Sequence, residues 1–268
     1  MDTTKKLLDT ITLEVQRPEQ LGQVQLLDIG RKHGVVNVRG LIDPETIRAA
    51  KRRIEETLLV GNDCPATGEK PQDLYNNHQK FAVGGGELRD NAHPQCLRTY
   101  YNPVFAEDLF GMREPFRAAA RLRNVLMGFE LDFAIDRIED GFWTAARIHH
   151  YPRGGGFMSR HREDYVPTIY EQFGLSGEAY FQPLIVMSKK GSGSPDHDFV
   201  FGGGYFERDG IRHYYEEHAE LGDILVYDTR TMHGVTEIDP TRPFRQDSAE
   251  GRYSGFVTLY RDFSADDH

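Results

Sequence analysis

The chain has little with which to cross-link itself. Only two of its 268 residues are cysteine, Cys64 and Cys96, too few for a disulfide framework and without the CxxC spacing of a zinc site. No apolar run approaches a membrane span: "PLIVM" at 183–187 is among the longest, where a spanning helix needs about 20 residues. The opening "MDTTKKLLDT" lacks the apolar centre of a secretory signal. Basic residues are fewer than acidic ones, 32 against 42, and the net charge of −10 disfavours a nucleic-acid backbone as partner. No internal repeat or low-complexity linker divides the chain. The expectation is a soluble, cytoplasmic protein acting on a small molecule, with neither nucleic acid nor membrane as partner. Oligomeric state has no signature here.

What is present is organised in two halves. In "HGVVNVRGLIDPETIRAAKRRIEETLL", Val35, Val36 and Val38 read as a strand. Asp43 is then placed as N-cap ahead of Pro44, and Ile47, Ile54 and Leu58 recur on one helical face. Residues 60–104 are rich in Gly, Asn, Pro and Asp and read as long loops. A second helix is predicted from Pro115, with Gly128 ending it. From about residue 130 the apolar period changes to two. "ELDFAIDRI", "TAARIHHY", "YFQPLIVMS", "DFVFGGGYF", "DILVYD", "GVTEI" and "YSGFVTLYR" are strand candidates separated by turn residues. Many short strands favour a sandwich or barrel, so the class is α+β, with helices in the N-terminal half supporting a β-barrel or jelly roll.

The chemistry is concentrated in "HHYPRGGGFMSRHREDY", residues 149–165. His161 and Glu163 are two apart, so on an extended segment they project to one side and can share an ion. An H-x-E pair alone is a weak signal and reads more readily as a solvated charged turn. His233, following the strand candidate in "GDILVYDTRTMHGV", supplies a third ligand. Two histidines and one carboxylate make the facial set of non-haem Fe(II) oxygenases, with three positions left for a co-substrate and O2. Beyond it, Arg252 and Ser254 in "GRYSGF" share one strand face, and a guanidinium fork beside a hydroxyl suits the remote carboxyl group of a dicarboxylate.

In these segments the chain resembles the Fe(II)- and 2-oxoglutarate-dependent dioxygenases. "HYPRGGGFMSRHRED" is similar to the family's tyrosine strand, glycine turn and H-x-D/E pair, and "GDILVYD…MHGV…GRYSGF" to its distal histidine and arginine-x-serine strand. "GVVNVRGLIDPETI" also resembles the opening of the phytanoyl-CoA dioxygenase-like branch; a prolyl-hydroxylase-like branch is the alternative. The resemblance covers residues 144–261. It implies a double-stranded β-helix (jelly-roll, cupin-like) core over 130–262, with 1–129 as helical and loop support and 263–268 as a tail, all in one domain. It also implies iron on His161, Glu163 and His233, and 2-oxoglutarate on Arg252, Ser254 and Tyr151. Asp164 is an alternative carboxylate to Glu163, though it points to the opposite face of an extended segment. Arg242 and Arg245 are alternatives to Arg252, but neither falls in a strand pattern.

The implied reaction is oxidation of an unactivated C–H bond of a small polar metabolite, such as a free amino acid or natural-product intermediate. Hydroxylation is expected first, desaturation or ring closure being alternatives, with release of succinate and CO2. Two other readings stand beside it: a cupin-type metalloenzyme that does not use 2-oxoglutarate, and a barrel that binds a small ligand without turnover. Residues 191–220 read as a mobile cover or as an extended hairpin turning at Asp209-Gly210. His197, His213 and His218 within them are expected at the surface. If "RIHHY" is a strand with one face inward, Arg147, His149 and Tyr151 line the pocket together.

Overall fold

The computed structural model describes residues 2–57, 79–82, 94–163, 180–194 and 197–261. Among these, four helices precede most of the strands: α1 (Thr3–Ile11), α2 (Gln23–His33), α3 (Pro44–Thr57) and α4 (Arg113–Met127). α3 starts where its cap predicts, the Glu45 N–H donating to Asp43 Oδ1 at 2.9 Å. α4 ends on Gly128 in the left-handed conformation, which closes its last turn. α1 and α2 have no counterpart in the sequence reading. No described helix is long and apolar enough to cross a membrane.

The strands are β1 (Thr12–Glu14), β2 (Val35–Arg39), β3 (Gln79–Ala82), β4 (Pro94–Gln95), β5 (Leu97–Tyr101), β6 (Phe142–Pro152), β7 (Phe157–His161), β8 (Phe181–Val186), β9 (Lys189–Lys190), β10 (His197–Phe199), β11 (Gly203–Arg208), β12 (Ile211–Tyr214), β13 (Ile224–Asp228), β14 (His233–Thr236) and β15 (Gly251–Arg261). A large sheet has the order β1-β2-β13-β8-β15-β6-β5-β3 and a small one β12-β11-β14-β7-β4. From β6 onward the chain alternates between them: β6 large, β7 small, β8 large, β11 and β12 small, β13 large, β14 small, β15 large.

The alternation of side chains along β15 explains the layering. Tyr253 and Val257 face away from the small sheet into a core with Phe116, Ala119 and Ala120 of α4, Ile47 and Ile54 of α3, and Ala146 and Ile148 of β6. The intervening residues, Arg252, Ser254, Phe256 and Thr258, occupy the other face. On that side Tyr151 of β6 packs with Leu97, Met158 and Val235, so the two sheets meet over a second core. The large sheet is therefore buried on both faces, by helices and by the small sheet, and carries polar groups inside.

Three sequence expectations change. "ELDFAIDRI" is a run of turns with Ala134 at φ 52°, not a strand. The carbonyls of Leu131 and Phe133 accept from the Asn124 amide on α4, each at 3.0 Å, and are thereby withheld from any ladder. Phe133 instead packs with Met127 and Phe129 at the helix end and with Phe142 of β6, while Ile135 joins the larger core. Part of the expected loop region, 94–101, forms β4 and β5. "DFVFGGGYF" breaks into β10 and β11, whose partner β12 follows a tight turn with Asp209 and Gly210 at φ 51° and 76°. The hairpin reading of this segment is the observed one.

Candidate metal centre

The turn at Gly154 and Gly155, whose N–H groups both donate to Ile238 O, sends the chain from the large sheet into β7. His161 is the last residue of β7 and His233 the first of β14, and the antiparallel register places them opposite each other. Their ring centroids are 4.3 Å apart. Glu163 follows two residues after His161, and its N–H donates to Thr229 O at 2.8 Å. One carboxylate oxygen, Oε1, then lies 3.6 Å from Nε2 of both histidines. These are charge contacts, too long to be hydrogen bonds.

Both rings have the same orientation device. Nδ1 of His161 donates to Ser159 O at 2.7 Å and Nδ1 of His233 to Thr231 O at 2.9 Å. A ring proton held on Nδ1 leaves the Nε2 lone pair facing the cluster, as a metal-binding imidazole requires. Burial raises the Glu163 carboxyl, but His161 and His233, once their rings also carry a proton on Nε2, more than offset this and hold it well below the usual carboxylate range. Ligand atoms from the three residues lie within 4.8 Å of one another. Donors about 2.1 Å from one ion stand about 3–3.5 Å apart, and the Glu163 oxygen, 3.6 Å from each Nε2, is within tenths of an ångström of that spacing. The alternative carboxylate, Asp164, lies outside the described residues. A second cluster, Asp2, Glu217 and His218, is at the surface, with Asp2 already capping α1.

Behind the cluster is a buried polar stripe. β6 and β15 pair Tyr151 with Arg252, His149 with Ser254 and Arg147 with Phe256. Arg252 is 1% exposed. Its Nε donates to Glu216 Oε1 at 2.5 Å, Nη2 to Tyr215 Oη at 2.5 Å and Nη1 to Ser254 Oγ at 3.1 Å. Burial opposes its charge, yet Tyr215, Glu216 and Tyr151 around it raise its pKa overall, so Arg252 is a fixed cation. Burial pushes the Tyr151 phenol up to about 12, with Arg252 and Arg147 opposing, and Tyr151 stays protonated. Burial, then Arg147 and Arg252, hold His149 well below its usual range as a neutral ring. Arg147 Nε donates to His149 Nε2 at 3.2 Å, which puts the ring proton on Nδ1, 3.5 Å from Tyr151 Oη. Arg147 Nη1 donates to Thr258 Oγ1 at 3.1 Å, and that hydroxyl to Gln182 Oε1 at 3.1 Å.

The structure thus brings His161, Glu163 and His233 to one point and lays Tyr151, Arg252 and Ser254 along one wall. Arg147 and His149 share that wall, whereas His150 lies on the opposite face, stacked on Tyr253 at 4.2 Å. His213 is buried rather than exposed, stacked against Phe206 at 5.4 Å. Tyr215 and Glu216, which claim two edges of Arg252, were not legible: "HYYEEH" reads locally as a polar stretch.

No protein-family model matches the chain, and no curated protein matches it in sequence. Solved structures similar to it include a prolyl-4-hydroxylase from Pseudomonas putida, at 16% identity and a TM-score of 0.49 over 90% of this chain and 100% of that one. An oxidoreductase of the 2OG-Fe(II) oxygenase family from Burkholderia pseudomallei has 12% identity and a TM-score of 0.45, covering 94% and 96%. The non-haem α-ketoglutarate-dependent epimerase SnoN of nogalamycin biosynthesis has 12% identity and a TM-score of 0.46, covering 89% and 82%.

Proposed function

We propose that the chain is an Fe(II)- and 2-oxoglutarate-dependent oxygenase, built as one domain on a double-stranded β-helix formed by β6 to β15. One observation carries this reading: two histidine nitrogens and a carboxylate converge within 4.8 Å, beside a sheet face that carries the buried Arg252. Three protein ligands on one side of an ion leave positions for a chelating acid and O2. His161, Glu163 and His233 would hold the metal. Bound there, Fe(II) with 2-oxoglutarate and O2 supplies the oxidant for an unactivated C–H bond, releasing succinate and CO2.

The chain's own part is positioning and exclusion of water. The Ser159 and Thr231 carbonyls fix both imidazole tautomers. The remote carboxylate of 2-oxoglutarate would enter the stripe of Tyr151, His149, Arg147, Arg252 and Ser254, where the Tyr151 phenol and Ser254 hydroxyl are donors in a low-dielectric setting. Tyr227, 4.4 Å from the His233 ring, and Phe256, 4.6 Å from the His149 ring, are apolar walls. Hydroxylation of a small polar metabolite in the cytoplasm is the reading taken for substrate, reaction and location.

The test is anaerobic addition of Fe(II) and then 2-oxoglutarate, followed by O2. A visible band of the chelated 2-oxo acid and formation of succinate are expected. Absence of both overturns the reading. A second reading, a metalloenzyme that does without 2-oxoglutarate, is favoured by one observation: the Arg252 charge is already met by Glu216.

A further inference from the structure

Two of the proposed ligands sit where strands run out. Glu163 is two residues past the end of β7, and His233 is the first residue of β14. Both lean on one short loop, residues 229–232 between β13 and β14. The Glu163 N–H donates to Thr229 O at 2.8 Å, and His233 Nδ1 donates to Thr231 O at 2.9 Å. The loop also reaches β11, whose Glu207 N–H donates to Met232 O at 2.7 Å. Any displacement of this loop is therefore passed to two ligands together, because a backbone carbonyl that accepts from a ligand sets where that ligand stands.

The loop is in turn tied to a helix outside the two sheets. Thr231 Oγ1 donates to Gly34 O at 2.8 Å, and the Asp228 N–H donates to the same carbonyl at 3.0 Å. Gly34 is the C-cap of α2, left-handed at φ 74°, and its N–H donates to Gly30 O at 2.7 Å. A Cβ on Gly34 would lie 2.8 Å from Thr231 Oγ1, so the close approach of hydroxyl and helix end needs a glycine. α2 is itself fixed, with Leu26 fully buried in the large core. The turn is closed without the hydroxyl: the Thr231 N–H donates to Asp228 O at 2.8 Å. The Asp228 carboxylate accepts from Arg230 N–H and Nε at 2.8 and 2.9 Å and from its Nη2 at 2.6 Å. What the Thr231 hydroxyl adds is the tie between this turn and α2.

We propose that Thr231 is a positioning residue for the metal centre: through its hydroxyl, the end of α2 at Gly34 sets the loop whose carbonyls place Glu163 and His233. This rests on the metal-centre reading above. It gives a helix that precedes the barrel a part in the ligand geometry, two steps removed from the ion.

The experiment titrates the full chain with Fe(II), anaerobically and by calorimetry, and with Co(II), whose visible bands report the geometry of its ligands. Thr231→Ser keeps the hydroxyl and drops the methyl, whereas Thr231→Ala drops both, so the two variants differ by the hydroxyl alone. Groups that orient metal ligands are worth about 10–100-fold in affinity, and from one step further out Thr231→Ala is expected to bind Fe(II) about 10-fold more weakly than Thr231→Ser, with altered Co(II) bands. Thr231→Ser is expected to bind as the native chain does. A merely structural role would lower the melting temperature and leave the dissociation constants and bands of the folded variants alike. A difference between Ala and Ser of under about 3-fold, well short of that range, or identical bands in the two, overturns the proposal. Should Thr231→Ala not fold, Thr231→Val, which keeps the shape without the hydroxyl, takes its place under the same limits. A native chain that binds neither ion overturns the metal-centre reading and the proposal with it, an outcome distinct from native binding with no difference between the variants.

Discussion

His161 and His233 stand opposite each other across the β7–β14 pair, and a single oxygen of Glu163 is 3.6 Å from Nε2 of each. The relationship is made by register. A slip of one residue in either strand would turn one imidazole to the other face of the sheet.

Removing any one of the three proposed ligands is therefore expected to abolish metal binding. Changes in groups that only orient a metal ligand cost about 10–100-fold in affinity, so His161→Ala, Glu163→Ala and His233→Ala are each expected to lose more than about 100-fold in Fe(II) binding by anaerobic calorimetry. Asp164→Ala is expected to bind as the native chain does. Tight binding by Glu163→Ala together with loss in Asp164→Ala would exchange the two carboxylates.

Gly204→Ala tests how closely Tyr215 and Arg252 are packed. With no room for a Cβ, the substitution forces either the phenol or the guanidinium to move. Overpacking of this kind costs about 1–3 kcal/mol. At about 2–4 °C per kcal/mol for a chain of this size, a fall in melting temperature of several degrees is expected.

Asp223 anchors the edge where β2 meets β13. It accepts from Arg39 Nε and Nη2 at 2.9 and 2.7 Å and from Asn37 Nδ2 at 2.9 Å. Breaking a buried ion pair costs about 3–5 kcal/mol. Because the Arg39 side chain is 33% exposed, water can reclaim part of its charge, and Asp223→Ala is expected to cost about 2–3 kcal/mol in urea unfolding.

Alkali should destabilise the fold through buried tyrosines. Burial raises Tyr151 to about 12 and also lifts Tyr215 and Tyr253, whereas an unfolded tyrosine ionises near 10. The folded chain keeps phenolic protons that the unfolded chain loses, so this contribution is fully present below about pH 10 and is lost as pH rises toward 12. Tyr151 alone accounts for about 2–3 kcal/mol by pH 12. Urea midpoints measured from pH 9 to 12 should fall from about pH 10 upward. A flat profile would place these phenols in water.

Local pattern carried much of the architecture. Asp43 ahead of Pro44 and Gly128 after α4 are short-range signals, since a cap satisfies the backbone groups of its own helix. The strands β6, β8, β13 and β15 follow from period-two runs bounded by turn residues. "ELDFAIDRI" misled because alternation is only one condition for a strand: the Asn124 amide on a neighbouring helix took the carbonyls a ladder needs. His213 misled in the opposite sense, being polar yet placed on the inward side of β12.

By itself, then, the sequence singled out the proposed ligands, His161, Glu163 and His233, and the side of a strand that Arg252 and Ser254 share, because these follow from residue type and a period of two. Only the tertiary structure decided that the two histidines oppose each other and that Glu216 and Tyr215 claim two edges of the Arg252 guanidinium. It also set Arg147 as a second cation on the same wall. Those relations join segments from different sheets and different turns. Their geometry is set by strand register and layer packing, which no local stretch of chain encodes.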